Sequence, residues 1–198
     1  MDKPAITVHE IHPLLARRWS PVAFADRDVS SEQLASVLEA ARWAPSCFNE
    51  QPWHYLVARK GDVEEFERMV HCLVEGNRVW ASKAPVLMIS VAAMRFSRND
   101  TPNRHAYHDV GLASENLVIQ ATALGLVAHQ MGGFDVEKAR LVYRIPAGHD
   151  PVAALALGWP GDPDELPADL RKRELSPRAR KPLRDFVFTG NWGRTLEF

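Results

Sequence analysis

The residues best suited to chemistry in this sequence lie in a short stretch between two prolines, Pro45 and Pro52. We call residues 45–52 the polar loop. Ser46, Asn49 and Gln51 stand within it, and each carries an uncharged group that both donates and accepts hydrogen bonds. Such a set suits the edge of a neutral heteroaromatic ring. The alternative is an ordinary connection in which the same side chains only bind neighbouring main chain. The residues alone leave both interpretations open.

A second group of candidate residues is basic. Arg17, Arg18, Trp19 and Ser20 are consecutive, and guanidinium groups beside a hydroxyl can bind a phosphate, because each guanidinium presents paired donors. Adjacent arginines are equally typical of a solvated helix surface. A further basic series follows near the end of the chain, at Arg171, Lys172, Arg173, Arg178, Arg180 and Lys181.

The elements on either side of the polar loop are strongly signalled. Ser30 and Gln33 form a capping box at the start of a helix. Pro45 pushes the residue before it out of the helical conformation, so the helix should end near Trp43. Residues 53–58 are rich in β-forming side chains and predict a strand. The polar loop should therefore be short and stiff.

The rest of the chain alternates helical and extended patterns. The stretch 108–124 is apolar on nearly every side, which favours burial in a core or at a subunit interface. Residues 95–104 form a polar surface excursion whose role is open. Gly132 and Gly133 make a bend where main chain could approach a flat ligand closely, although such a pair is also a common turn. The other predicted helices are 11–19, a helix capped by Asp62 that ends near Gly76 and Asn77, and one capped by Asp135; the other strands are 84–94, 126–131 and 152–158.

The composition of the chain changes after Trp159, where prolines and basic residues become frequent. Five prolines fall between residues 159 and 182, which predicts an arm lying over a surface rather than a packed element. Residues 185–189 have strand character, and after so long an arm such a strand is expected to pair at a distance, for example with a second chain.

Composition excludes several classes of protein. With 198 residues, 46% of them hydrophobic, the chain has enough apolar material for one medium domain. A formal net charge of −1 gives no bulk attraction to nucleic acid or to a membrane. The amino terminus has no signal-peptide pattern, and no apolar run approaches the roughly 20 residues of a membrane span. We expect no nucleic-acid partner and no membrane anchor.

Several standard sites are also not indicated. The two cysteines, Cys47 and Cys72, lack zinc or redox-motif spacing and fit a reducing cytoplasm. There is no GxGxxG and no GxxxxGK, so neither a Rossmann dinucleotide site nor a P-loop is predicted. His105 and His108 have no recognisable further ligand set for a metal. These absences favour an enzyme in which a bound cofactor, rather than a side chain, carries out the reaction.

Five segments in order resemble the successive motifs of the nitroreductase-like FMN-dependent flavoenzymes. The second is quite specific, and the order and spacing match over nearly the whole chain. The segments are RRWSPVAF at 17–24, AARWAPSCFNEQPW at 40–53, EGNRVWASKAP at 75–85, AHQMGGFD at 128–135 and ARKPL at 179–183.

The resemblance implies an α+β fold, a nitroreductase-like three-layer sandwich with a mainly antiparallel sheet flanked by helices. It implies a single FMN-binding domain over residues 1–198 and a homodimer that exchanges the arm from about residue 159, with FMN sites in the interface. The cofactor contacts it implies are Arg18, Trp19 and Ser20 at the phosphate and ribityl end; Pro45, Ser46, Asn49 and Gln51, from the partner chain, on the flavin; Asn77 near the ring; Met131, Gly132 and Gly133 along one flavin face; and Arg178, Arg180 and Lys181 at the phosphate.

The activity implied is hydride transfer from NADH or NADPH through FMN to nitroaromatic, quinone or related small acceptors, in a ping-pong scheme. No side chain needs to be catalytic itself, although Tyr107 and His108 are candidates for a proton relay. A specialised flavin oxidase, dehalogenase or aldehyde reductase of the same fold is an alternative, and a non-catalytic flavin-binding sensor is another. Two positions depart from the family: Val22 stands where a basic residue is common, and Gly132 where some members carry a carboxylate.

Overall fold

The centre of the protein, in a computed structural model that describes residues 3–197, is a four-stranded antiparallel sheet. Its strands lie in the order β1-β2-β4-β3, so β1 and β3 are opposite edges. The bounds are Trp53–Arg59 for β1, Val86–Ala93 for β2, Val127–Met131 for β3 and His149–Gly158 for β4. The four strands predicted between residues 53 and 158 are confirmed to within a few residues at each end.

Helices cover both faces of this sheet. Within residues 3–197 they are α1 Pro13–Arg17, α2 Ser31–Arg42, α3 Val63–Val70, α4 Glu75–Ala81, α5 Ala106–Ala123, α6 Val136–Val142 and α7 Ala168–Leu175. Alternate residues of β2 point to opposite layers: Val86 and Met88 join the core cluster that contains Leu117 of α5, whereas Leu87 and Ile89 join the one around Phe66, Trp80 and Ala139 of α3, α4 and α6. The predicted α+β, three-layer architecture is confirmed. No helix in the described part of the chain is long and apolar enough to cross a membrane.

The helix that leads into the polar loop begins as predicted. The Ser30 hydroxyl accepts the N–H of Gln33 at 3.2 Å, and the Gln33 side chain accepts the N–H of Ser30 at 3.1 Å. Ser30→Ala should lower the free energy of unfolding by about 1 kcal/mol, because it leaves helix-start donors without a partner. Urea denaturation measures the change. Ser82→Ala, at the end of α4 where no helix start needs a cap, is the control, and equal losses in the two variants would contradict the capping role.

The helix predicted from Asp62 to about Asn77 is wrong. The structure ends α3 at Val70 and begins α4 at Glu75. Between them the chain pairs with the segment after β3, through a bridge between Leu73 and Phe134 and a 2.7 Å hydrogen bond from Asp135 N–H to the Cys72 carbonyl. That pairing uses main-chain groups that a continuous helix would need, so one helix becomes two.

Two predictions at the ends of the chain are also wrong in part. The first helix spans only Pro13–Arg17, and the arm is not extended throughout, since residues 168–175 form α7. Residues 185–189 form no strand: a 3₁₀ turn occupies Leu183–Asp185, and one isolated bridge joins Phe188 to Thr195. Apart from that bridge, no strand in the described part of the chain lies beside residues 185–189 to pair with them. Exchange of the arm between two chains stays a prediction.

Candidate functional site

The polar loop is held in an unusual backbone conformation. Phe48, Asn49 and Gln51 have positive φ angles of 54°, 56° and 53°. Asn tolerates this left-handed region, but a residue such as Phe in it costs on the order of 1 kcal/mol or more, and such strain concentrates at functional sites. The Ser46 hydroxyl accepts the Gln51 N–H at 3.0 Å, and the Gln51 side-chain amide donates to the Asn49 carbonyl at 3.1 Å. Ser46 and Gln51 therefore fix the loop that displays Asn49.

The base of the loop is tied to α5 by a residue that sequence reasoning missed. Asp109 is buried, and one of its carboxyl oxygens accepts the N–H of Cys47 at 2.9 Å while the other lies 3.0 Å from Nδ1 of His108. A carboxylate in the first turn of a mostly apolar helix was the available signal. Residues 3–197 contain no cluster of three or more His, Cys, Asp or Glu side chains that could hold a metal ion.

The predicted phosphate residues do converge. Arg18, Trp19 and Ser20 line a cavity of about 220 Å³ together with Arg178 and Arg180, which are distant in sequence. We call it the basic cavity. Arg18 donates to the Ser20 hydroxyl at 3.3 Å, and Arg178 donates to the carbonyls of Lys3 and Ala16, both at 2.8 Å. Burial lowers the pKa of Arg178, and the positive charges of Arg18 and Arg180 lower it further.

No carboxyl group in residues 3–197 forms a contact ion pair with Arg18, Arg178 or Arg180. Burial raises the pKa of Glu115 in α5, and the nearby charge of Arg18 opposes that rise. Glu174 of α7 also lines the cavity, but its two carboxyl oxygens accept the N–H groups of Val22 and Ala23 at 2.9 and 3.3 Å. Several guanidinium groups around a cavity of this size form a donor set suited to a phosphate.

The structure separates the two adjacent arginines. Arg17 donates to the carbonyl of Thr122 at the end of α5 at 3.0 Å, so its guanidinium group stabilises the last turn of that helix. Of the pair, Arg18 is the residue that lines the basic cavity. Lys181 is not brought into the basic cavity; it lines a larger cleft of about 830 Å³ between the amino-terminal segment and the arm, which Arg178 and Arg180 also line.

Strand β3 connects the basic cavity to the glycine bend. Pro21, next to Ser20, accepts a 2.7 Å hydrogen bond at its carbonyl from Nδ1 of the buried His129 in β3. Gly132 follows His129 by three residues, which is roughly 10 Å along a strand. The segment that leads out of the basic cavity and the glycine bend therefore lie at the same edge of the sheet.

The glycine bend is shaped by a neighbouring side chain. Asn77 of α4 donates its amide to the Gly133 carbonyl at 2.9 Å, and a Cβ on Gly133 would lie only 2.6 Å from that amide nitrogen. A larger residue at this position would require the Asn77 side chain to move and would disturb its hydrogen bond to the bend. Gly132 is exposed, with nothing within 4 Å of the place a Cβ would take. The Met131 side chain is buried in the core, which leaves only its main chain for a ligand at the surface.

Within one chain the polar loop and the basic cavity lie far apart. The loop contacts Asp109 at the start of α5, whereas Arg17 contacts Thr122 at its end, and thirteen residues of helix separate these contacts by roughly 20 Å. The sheet gives the same result, because the loop leads into β1 and the glycine bend follows β3, at opposite edges. One chain does not bring all the predicted cofactor residues together.

Comparison with known proteins fits this geometry. The sequence pattern of the Nitroreductase family matches residues 15–159. This chain belongs to the Nitroreductase family. The predicted resemblance is thereby confirmed, as is the prediction of an oxidoreductase.

Individual relatives cover most of the chain. An uncharacterised 15.4 kDa protein of Mycolicibacterium smegmatis is 34% identical over 149 residues, covering 72% of this chain and 99% of its own. A protein of Thermus thermophilus named NADH dehydrogenase is 27% identical over 160 residues, covering 65% of this chain and 76% of its own. A solved structure described as an oxidoreductase containing FMN is 36% identical and superposes with a TM-score of 0.90 over 96% of both chains.

Proposed function

We propose that this protein is an FMN-dependent oxidoreductase that passes a hydride from NADH or NADPH to a small nitroaromatic, quinone or related acceptor. The observation that carries the proposal is the basic cavity, whose Arg18, Arg178 and Arg180 form no ion pair within residues 3–197, joined by β3 to the glycine bend that the Asn77 amide holds. A relative of 36% identity is described as containing FMN, which supports the same ligand.

The residues fit that cofactor. Arg18, Ser20, Arg178 and Arg180 would bind its phosphate, and the main chain at 131–133 would pass along its ring. Bound FMN supplies two-electron redox chemistry that no side chain of the protein can provide. Val22 stands where a basic residue is common in the family. Its side chain is apolar and buried, and its N–H is already bonded to Glu174, so Val22 offers the phosphate neither a charge nor a free donor.

The net reaction proposed for a nitro acceptor balances as R–NO₂ + NAD(P)H + H⁺ → R–NO + NAD(P)⁺ + H₂O. We propose a ping-pong scheme in which donor and acceptor occupy one cleft in turn.

Tyr107 donates its hydroxyl to Asp150 at 2.6 Å, and this hydrogen bond, with partial burial, raises its pKa. Tyr107 is therefore a poor source of the proton.

A steady-state assay separates this function from a flavin sensor. We expect NADH or NADPH oxidation that depends on FMN and on added menadione or nitroaromatic, with parallel lines in double-reciprocal plots. Purified protein that binds FMN but oxidises neither donor with either acceptor would favour the sensor.

We propose that the complete site needs a second copy of the chain. The polar loop leads into β1 and the glycine bend follows β3, so the two proposed flavin contacts lie at opposite edges of the sheet within one chain. A homodimer that sets the loop of one copy against the basic cavity of the other resolves this. Light scattering should give twice the 22.2 kDa chain mass, and a monomer that retains full FMN affinity would contradict it.

Both cysteines are free, which fits a cytoplasmic location.

Asn49 offers a test of the loop's part in the site. Asn49→Gly removes the amide without straining the backbone, because glycine adopts a φ of 56° freely. Leaving buried flavin atoms without a partner should cost about 1 to 3 kcal/mol, a rise of roughly five- to 150-fold in the FMN dissociation constant. Fluorescence titration measures it. The control, Arg144→Gly at a φ of 50°, repeats the backbone change outside the proposed site; equal effects in the two variants would contradict a flavin contact.

A further inference from the structure

Residues 95–104 form a closed loop that is held against the polar loop. The segment closes on itself through a bridge between Arg95 and Pro102, a 2.9 Å hydrogen bond from Phe96 N–H to the Thr101 carbonyl and an ion pair between Arg95 and Asp100. It is also docked on the polar loop, because the Ser97 N–H donates to the Glu50 carboxyl group at 2.7 Å. We call residues 95–104 the docked loop. The hydrogen bond to Glu50 therefore fixes the position of the docked loop relative to the polar loop.

The contact between the two loops displays an aromatic ring to solvent. Phe48 is 69% exposed although its backbone is in the left-handed region. The edge of the ring meets the buried Phe96 at 5.9 Å between centroids, with the planes at 76°. The guanidinium group of Arg98 lies 3.9 Å from the Phe48 ring centroid. The two loops together hold the Arg98 guanidinium group over the exposed Phe48 ring.

Arg98 keeps its charge available. No carboxyl group in the described residues pairs with it, whereas Arg95 of the same loop is paired with Asp100. The nearby Glu50 is bonded to the Ser97 N–H. A guanidinium stacked on a ring still presents N–H donors at its edge, which suits a carboxylate or similar anion.

We propose that Phe48 and Arg98 together recognise the acceptor, and that they favour planar aromatic acceptors carrying a negative group over neutral ones. This inference rests on the proposed function and names the substrate class of that site. Phe48 offers the ring face that Arg98 does not cover for stacking on the aromatic part of the acceptor, and the N–H groups at the edge of the Arg98 guanidinium bind the anion.

The test compares 4-nitrobenzoate with 4-nitrobenzyl alcohol, which have similar shape and differ in charge. The native protein should show the higher kcat/KM with 4-nitrobenzoate at saturating NADH. Arg98→Gln should lower the ratio of the two kcat/KM values about five-fold, the size expected for one exposed charged contact. Arg104→Gln, which removes an equal charge from the same loop away from Phe48, should change the ratio by less than about two-fold. An unchanged ratio in Arg98→Gln, or an equal fall in Arg104→Gln, would overturn the proposal.

A second variant tests the ring. Phe48→Leu keeps an apolar side chain at the same φ but removes the stacking face, and it should raise KM about three-fold for both nitroaromatics. Unchanged KM values would show that Phe48 does not contact the acceptor and would overturn the proposal. Failure of the proposed function gives a different result, since then menadione and both nitro compounds would all be inert with the native protein.

Discussion

Replacing Arg18 by alanine should raise the FMN dissociation constant by roughly 10- to 150-fold, because a hydrogen bond to a charged group contributes about 1.5 to 3 kcal/mol. Riboflavin, which has no phosphate, should bind the variant as it binds the native protein. Arg18 lies in the basic cavity with Ser20 and forms no contact ion pair within residues 3–197, so its guanidinium N–H groups can bind a ligand. Flavin fluorescence quenching measures both ligands.

The neighbouring arginine is the matched control. Arg17→Ala removes the same charge one residue away, but its guanidinium group binds the Thr122 carbonyl at the end of α5. We expect Arg17→Ala to lower the unfolding midpoint without changing the ratio of FMN to riboflavin affinity. An equal loss of both flavins in Arg18→Ala would show that Arg18 shapes the protein rather than binding phosphate.

Replacing Glu174 by alanine should lower the free energy of unfolding by about 3 kcal/mol, because it leaves the buried N–H groups of Val22 and Ala23 without an acceptor. FMN affinity should fall with it, since Arg178 follows α7 in the chain and both lie at the basic cavity. Urea denaturation and FMN titration measure the two effects.

Two further variants define the role of this carboxyl group. Glu174→Gln keeps one acceptor oxygen and should lose less stability than Glu174→Ala. Asp169→Ala removes an exposed carboxyl group from the same helix and should change stability by less than about 0.5 kcal/mol. If Glu174→Ala is as stable as Asp169→Ala, the arm is not anchored at residues 22 and 23.

Local signals were enough to predict the polar loop and the sheet. The capping box at Ser30, the proline at 45 and the β-rich runs each act within a few residues, so the sequence alone located the elements on both sides of the loop. The break between α3 and α4 could not be found in this way, because it depends on pairing between Leu73 and Phe134, which are distant in sequence.

The candidate site was predicted unevenly for the same reason. Arg18, Ser20, Arg178 and Arg180 were named from motifs, and the fold does bring them together. Glu174 was missed because it stands in a run of charged residues that is typical of a solvated surface, and only the packing of α7 buries it. The separation of the polar loop from the glycine bend follows from the strand order, which puts β1 and β3 at opposite edges and which no motif describes.

The central claim, that one site combines the basic cavity of one copy with the polar loop of another, is tested most directly by mixing two defective variants. Arg18→Ala and Asn49→Gly are each expected to bind FMN weakly as homodimers. Co-expressed with different affinity tags and purified through both, they should form a heterodimer with one intact site and one doubly altered site.

That heterodimer should bind one FMN per dimer with the affinity of the native protein, and half the native NADH:menadione activity should return. If each chain instead builds its site alone, every site in the heterodimer carries one substitution, and its FMN affinity and activity will be no better than those of the two variants measured separately.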